Sequence, residues 1–360
     1  MRILHIIESD GGTVEFIFLL AKCSADTEHI VFAGKRAWIA LKKIEELNPT
    51  NFPLNLMLIY WEGAEREISL TKDINALLFL LKWLKSQKNY DVIHLHSSKA
   101  GFLGRVATKI ARKKNVVYTT QAVSFIRTDI SKIKRKLFIL LEQIGSRLGG
   151  TVVCCSDSER LAMLEKGIKA ITIPNGTQFT PLPTVSPAGD TVKVMSIGRA
   201  TIQKNPAMFR KIADGFISNR QVEFIWVGDG ELKEELVADN IKITGWLSRE
   251  KVRETLLEAD IYVSTASWEG MPFAVLEAMA FAKPLVLSYC IGNVDLVKNQ
   301  ANGFIFKTTE EAIRYLNVLI DNKAKRLEMG QASRYLFENK YDFELVTKEF
   351  LRLYLQVSKL

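Results

Sequence analysis

Short apolar runs rich in β-branched residues alternate with longer stretches of helical periodicity along the chain. Such alternation is the pattern of βαβ units and parallel sheets. In the first half it predicts strands over Met1–Glu8, Glu28–Ala33, Val92–His96, Val116–Thr120, Val152–Ser156 and Ala170–Pro174. Helical periodicity fills intervals between them over Lys72–Lys85, Ala100–Lys113 and Lys132–Arg147. A polar, proline-bearing stretch, Pro181-Leu-Pro-Thr-Val-Ser-Pro187-Ala-Gly189, reads as a linker over residues 181–190. Beyond it the alternation restarts, with strands expected over Lys193–Ile197, Val222–Val227, Ile241–Thr244, Ile261–Ser264 and Pro284–Ser288. The pattern predicts two successive doubly wound α/β domains, residues 1–180 and 191–340. Such folds bind ligands beyond the carboxyl ends of their strands, so chemistry is expected at the strand exits.

Composition supports two cores: 360 residues, 48% hydrophobic and 25% charged. The first apolar run, Ile3 to Ile7, is broken by His5 and followed by Glu8, which suits a buried strand better than a signal peptide. No stretch approaches a membrane span. The four cysteines show no CxxC spacing, so neither a zinc site nor a disulfide framework is supported, and reduced thiols in the cytoplasm are expected. The net charge of +9 admits nucleic acid, an anionic membrane or a phosphorylated substrate as partner.

The most specific segment is Ser267-Trp-Glu269-Gly270-Met271-Pro272-Phe273-Ala274-Val275-Leu-Glu277. A strand ends near Ser264, and Pro272 suits the start of a helix because its missing N–H costs nothing there. The free amides and positive end of that helix form a natural anion site. Glu269 is expected on the loop and Glu277 on the early turns. In isolation the pair would read as surface carboxylates; the intervening loop-to-helix transition gives it meaning. The second piece, Ile197-Gly198-Arg199-Ala-Thr-Ile-Gln-Lys204-Asn-Pro206, leaves the first strand of the second domain. Arg199 offers a planar donor fork and Lys204 a mobile point charge, a combination suited to adjacent phosphates.

Together these motifs resemble retaining glycosyltransferase family 4, of the GT-B fold. Ile173-Pro-Asn-Gly176, Trp226-Val-Gly-Asp-Gly-Glu231 and Asn302-Gly-Phe304 support the resemblance, which spans nearly the whole chain. It implies two Rossmann-like domains facing across a cleft, with residues 341–360 forming a helix that packs back on the first. It also implies that Arg199 and Lys204 bind the donor diphosphate and Glu277 the ribose hydroxyls. Glu269 and the amides of residues 270–275 would face the transferred sugar, and Gly245-Trp246-Leu247 the nucleobase. The co-substrate would be a UDP- or GDP-sugar, with no other cofactor. No DxD-like acidic pair appears, so the two cations are expected to replace a metal.

In the first half, Gly11-Gly12 at the first strand exit lets backbone approach a ligand closely. The resemblance to the family's glycine-rich first loop places this turn on the donor. His94-Leu-His96-Ser-Ser-Lys99 spans the end and exit of the strand expected over Val92–His96. His94 and His96 share a face, with no evident third metal ligand, and His96 and Lys99 are expected on the acceptor side. Similar stretches occur in family members associated with bacterial surface polysaccharides. At Thr119-Thr-Gln121-Ala the family usually shows Thr-Pro-His-Gly or Thr-Pro-His-Ala. Gln121 cannot carry a proton charge, though it can orient a sugar hydroxyl.

Basic clusters at Lys109–Lys114 and Lys132–Lys136, the second running into Leu137-Phe-Ile-Leu-Leu141, suit peripheral attachment to the inner face of an anionic membrane. The expected acceptor is a glycan or a polyprenyl-diphosphate-linked sugar. Two other readings stay open. A GT-B sugar-nucleotide epimerase would share diphosphate binding, and a nucleotide-sugar or glycan-binding protein with weakened or lost transfer would fit Gln121. Nucleic-acid binding would explain the charge but not the paired glutamates, and no recognition motif supports it.

Overall fold

The computed structural model describes residues 1–47, 49–65, 67, 69–86, 90–178, 191–298 and 300–359. The chain divides into two compact units: Met1–Ile126 with Ile130–Gly176 and Phe343–Leu360, and Arg127–Asp129 with Thr177–Asp342. The expected linker, 181–190, lies outside the described residues.

In the first unit, strands β1 (Arg2–Ile7), β2 (Glu28–Ala33), β3 (Leu56–Tyr60), β4 (Val92–His96), β5 (Val116–Thr119), β6 (Thr151–Cys154) and β7 (Ile171–Thr172) form one parallel sheet. Their order is β3-β2-β1-β4-β5-β6-β7. Helices α1 (Gly12–Lys22), α2 (Lys35–Leu47), α3 (Leu70–Ser86), α4 (Ser97–Ile110), α5 (Lys132–Leu148) and α6 (Asp157–Leu164) follow successive strands. A parallel sheet is covered on both faces, so its central strands read as continuous apolar runs; β4 is buried throughout.

The second unit repeats the topology with β8 (Val192–Ile197), β9 (Val222–Val227), β10 (Ile241–Ile243), β11 (Ile261–Ser264), β12 (Leu285–Ser288) and β13 (Gly303–Phe306). The order is β10-β9-β8-β11-β12-β13, with α7 (Pro206–Asp214), α8 (Arg249–Glu258), α9 (Phe273–Ala280), α10 (Thr309–Ile320) and α11 (Lys323–Leu336). Strand order reverses at β8, which pairs with β9 on one side and β11 on the other. The loops leaving β8 and β11 therefore emerge side by side, which brings the Gly198–Lys204 and Glu269–Glu277 segments together.

The last helix, α12 (Phe343–Val357), belongs to the first unit, as the resemblance implied. Phe343 and Phe350 pack their rings 5.6 and 5.0 Å from that of Phe16 in α1. The crossing is marked by a bridge between Thr177 and Asp342.

Two strands, β3 and β13, were not among those expected, and β7 is shorter than Ala170–Pro174. All three lie at sheet edges, and β7 and β13 are only two and four residues long. In β3 only Leu56 is buried. Pro174 lacks the N–H that would extend β7.

Helix α5 packs Phe138 and Ile139 on the core yet also carries an aliphatic stripe on its outward side. It buries Glu142 and Gly145, where Glu142 pairs with the buried Arg105 at 2.8 Å and accepts from Tyr118 at 2.8 Å. Its outward stripe is Ile133, Leu137, Leu140 and Ile144, exposed by 83, 47, 51 and 38%. Lys132, Lys134 and Lys136 are exposed on the same helix. No helix among the described residues is long and apolar enough to cross a membrane.

Candidate functional site

The loop from β11 to α9 carries Glu269, Gly270 and Met271, and Pro272 caps the helix. Val275 and Leu276 donate back to the Pro272 carbonyl at 3.1 and 3.2 Å. The amides of Phe273 and Ala274 thus lead the helix ahead of its first backbone bonds. Most of α9 is buried; Phe273, Ala274 and Glu277 form its half-buried stripe. Glu277 therefore lies one turn below the helix entrance, on the same side as the leading residues.

Across from this loop, Gly198, Arg199 and Lys204 leave β8, with Arg199 exposed. Thr265 Oγ1 lies 2.8 Å from the Lys204 carbonyl and 3.1 Å from that of Asn205. Ser267 donates its amide to the Gln203 carbonyl at 2.8 Å. Side chains complete the join: Lys204 Nζ lies 2.6 Å from Glu269 Oε1, and Gln203 Nε2 lies 3.2 Å from Glu269 Oε2. Gly198 leaves room for the lysine stem, since a Cβ there would come within 2.9 Å of Lys204 Cε.

The remaining loops brace this one. Trp226 Nε1 donates to the Gly198 carbonyl at 3.0 Å, Gly198 N to Val227 O at 2.9 Å, and Ala200 N to Asp229 O at 3.0 Å. Gly228 donates to Gly245 at 3.0 Å, which ties in the turn bearing Trp246 and Leu247. Trp246 is 65% exposed at that turn. Beneath the site, the buried Tyr262 hydroxyl accepts from the Ile197 amide at 3.4 Å. Burial raises its pKa, and the carboxylates of Glu277 and Glu269 raise it further. Neither Tyr262 nor Gln203 was singled out in the sequence.

In the first unit Gly11 and Gly12 stand exposed at the β1 exit, where Gly11 caps α1 at φ 65°. Gln121 and Ala122 adopt left-handed backbone (φ 53° and 71°), uncommon for residues with a Cβ. The Gln121 and Asn175 side-chain amides face each other, with both nitrogen–oxygen pairs at 3.4 Å. This gives the Ile173–Gly176 motif a physical purpose. The buried carboxylate of Glu159 accepts from the amides of Val123 at 2.7 Å and Cys155 at 2.9 Å, holding the same turn. Burial raises the Glu159 pKa against those hydrogen bonds. The pattern Ser156-Asp-Ser-Glu159, a capping-box spacing, was the sequence signal for it.

The expectation for His96 is corrected. His96 does not face an acceptor: it is buried, with Nε2 2.9 Å from His5 Nδ1. Lys99 is committed to an ion pair with Asp73 at 2.7 Å and to the Glu67 carbonyl, joining α4 to α3. A third potential metal ligand beside His94 and His96 also exists, namely His5.

These rings belong to a buried hydrogen-bond network rather than to a set of free ligands. Ser24 donates to the Leu20 carbonyl, so its oxygen accepts from His29 Nε2 at 2.8 Å. His29 Nδ1 then accepts from His5 Nε2, and His5 Nδ1 from His96 Nε2, each at 2.9 Å. The tautomers follow from that order, and His96 Nδ1 ends the series as a buried lone pair. His94 is held separately by Tyr354 at 2.6 Å and by Thr119. Burial holds the pKa values of His5, His94 and His96 well below the usual range, and that of His29 at about 4.

Residues 57–179 match the family model Glycosyltransferase Family 4, and residues 184–335 match Glycosyl transferases group 1. The chain is 32% identical over 282 residues to the UDP-Gal:alpha-D-GlcNAc-diphosphoundecaprenol alpha-1,3-galactosyltransferase of Escherichia coli, covering 71% of this chain and 72% of that protein. It is 26% identical over 274 residues to the O-antigen biosynthesis glycosyltransferase WbnH of Escherichia coli, covering 73% and 77%. The crystal structure of Anabaena Alr3699/HepE in complex with UDP superposes over the whole of both chains with a TM-score of 0.76 at 19% identity. Both halves of the sequence and the doubled parallel-sheet topology thus lead to one assignment: the chain belongs to the family 4 glycosyltransferases and has their GT-B fold.

Proposed function

We propose that the protein transfers a hexose from a UDP- or GDP-sugar to a glycan or polyprenyl-diphosphate-linked acceptor, retaining the anomeric configuration and needing no metal. The observation that supports this reading is the adjacency, at the strand-order switch of the second unit, of the loop bearing Arg199 and Lys204 and the loop that leads into α9. Breaking the bond between the anomeric carbon and the phosphate oxygen builds negative charge on the diphosphate. Cations and helix-end amides already in position stabilise that charge without reorganising. Arg199 and Lys204 take the part a divalent ion would otherwise play.

In the proposed step the acceptor oxygen bonds to the anomeric carbon as the phosphate oxygen departs. The leaving phosphate takes the acceptor proton on the same face, so no side-chain base is required. Glu277 binds the ribose hydroxyls, and Trp246 and Leu247 the base. Glu269 and the amides of residues 270–275 contact the sugar. Gln121 orients a hydroxyl. The similar galactosyltransferase is named for UDP-galactose and a diphosphoundecaprenol acceptor, which supports a role in surface-polysaccharide synthesis. The outward aliphatic stripe of α5 with its lysines supports peripheral attachment at the cytoplasmic face of an anionic membrane.

A thermal-shift screen against UDP, GDP and their sugar conjugates, followed by transfer to a polyprenyl-diphosphate sugar with and without EDTA, tests the proposal. Specific stabilisation and an EDTA-resistant product of retained configuration are expected. Loss of product in EDTA, restored by magnesium or manganese, refutes metal independence. Stabilisation without product across an acceptor panel would favour a binding protein, the reading that Gln121 keeps open.

A further inference from the structure

We infer that Glu269 is an internal occupant of the phosphate position: its carboxylate neutralises Lys204 until a donor diphosphate displaces it, and Gln203 then retains the released carboxylate. The inference rests on the reading that Lys204 binds the donor diphosphate.

Three observations support it. First, the pair is built in rather than incidental. The backbone of residues 203–205 is bound to that of residues 265–267 by Ser267, and the Thr265 hydroxyl lies against the carbonyls of Lys204 and Asn205. The lysine stem lies over Gly198, where no Cβ intervenes. Second, the ammonium and carboxylate meet at 2.6 Å, with side chains exposed by 21 and 9%. In such a half-dry setting an anion cannot approach Lys204 without competing with Glu269, and removing one partner leaves the other charge uncompensated. Third, the two carboxylate oxygens have different partners. Oε1 faces Lys204 Nζ, while Oε2 is held by Gln203 Nε2, which also donates to the Trp268 carbonyl at 3.1 Å. Loss of the lysine therefore leaves Glu269 still tethered at the loop, where the proposed function needs it for the sugar.

The exchange makes a distinctive prediction. A glutamate that served only the sugar would leave nucleoside diphosphate affinity unchanged when neutralised, because UDP and GDP carry no sugar to transfer. A glutamate that competes for Lys204 weakens that affinity, so Glu269→Gln should bind the diphosphate more tightly while transferring sugar more slowly.

The test is calorimetric titration of wild type, Glu269→Gln, Glu269→Asp, Lys204→Met and the Glu269→Gln/Lys204→Met double variant with UDP and GDP. Uridine and guanosine serve as controls, and melting curves establish folding. Glu269→Gln should gain about tenfold in affinity for the diphosphate that wild type prefers. The shorter Glu269→Asp should gain less, the nucleosides should show no gain, and the gain should vanish in the Lys204→Met background. If Glu269→Gln is too unstable to titrate, the Asp variant alone decides. Unchanged or weaker diphosphate binding in the Glu269 variants, with Lys204→Met weakened, overturns the exchange and leaves the donor-site reading intact. Unchanged binding in Lys204→Met overturns both.

Discussion

The indole of Trp226 donates to the carbonyl of Gly198 at 3.0 Å, so the buried end of β9 sets the position of the loop that leaves β8. Gly228, two residues on, presses against the same carbonyl: a Cβ would stand 2.2 Å from Gly198 O, and its φ of 135° disfavours a side chain. We expect Gly228→Ala to cost ~1–3 kcal/mol in urea unfolding and to weaken stabilisation by UDP or GDP. Wild-type values in both measurements would mean that the loop does not depend on this packing.

Arg199→Ala and Lys204→Ala should each reduce turnover by about a hundredfold, by analogy with the removal of one oxyanion donor. The readout is steady-state transfer with the preferred donor, alongside a melting curve. Both variants near wild type would remove the basis of the proposed stabilisation of the leaving group.

Helix α5 turns Glu142 inward to Arg105 and its aliphatic stripe outward. Sedimentation with phosphatidylglycerol vesicles should therefore show binding. Replacing Lys134, Arg135 and Lys136 with Gln should weaken it by about a hundredfold, at ~1 kcal/mol per basic residue. Serine at Ile133, Leu137 and Leu140 should weaken it even at low salt. Unchanged binding in both variants would clear this surface of the role.

The buried histidines make the first unit acid-sensitive. His29 has its folded-state pKa lowered to about 4, whereas in the unfolded chain it titrates near 6.5. Between those values the unfolded state binds the extra proton, so stability is full above pH ~6.5 and falls as pH drops toward 4. By pH 5 His29 alone costs ~2 kcal/mol. His5, His94 and His96, lowered further by burial, act in the same direction. Calorimetric melting from pH 7.5 to 5 should show a steep fall that is shallower, by the His29 share, in His29→Phe. A pH-independent melting temperature would contradict the arrangement.

The donor side was legible because its signals are local. A strand, a glycine turn and a helix start are each encoded over a few residues, so the placement of Arg199, Lys204, Glu269 and Glu277 followed from spacing and resemblance. What the sequence concealed was pairing across distance. Nothing near Lys204 announces Glu269 as its partner, and nothing near Lys99 points to Asp73. His96 looked like a residue at a strand exit, yet α1 packs where it points, with Phe16 5.8 Å from its ring, and α12 covers its neighbour His94. Alternation gave the shared face of His94 and His96 correctly, whereas its cover came from a helix far along the chain. The edge strand β3 was obscured for the opposite reason, since a half-exposed strand carries a weak apolar signal, whereas β13 is four residues long and opens on a glycine.

The return of α12 has a consequence for how the protein is made. Because Phe343–Val357 belongs with residues that precede Gly176, the second unit is an insertion within the first. A ribosome releases the sheet of the first unit early, but the hydroxyl of Tyr354 that pairs with His94 emerges only after the whole second unit has been translated. Domains usually fold in the order of their synthesis. Here the nascent first unit must wait, with Phe16 and the histidine face uncovered, while the later unit completes itself, so the unit that begins first is the last to close.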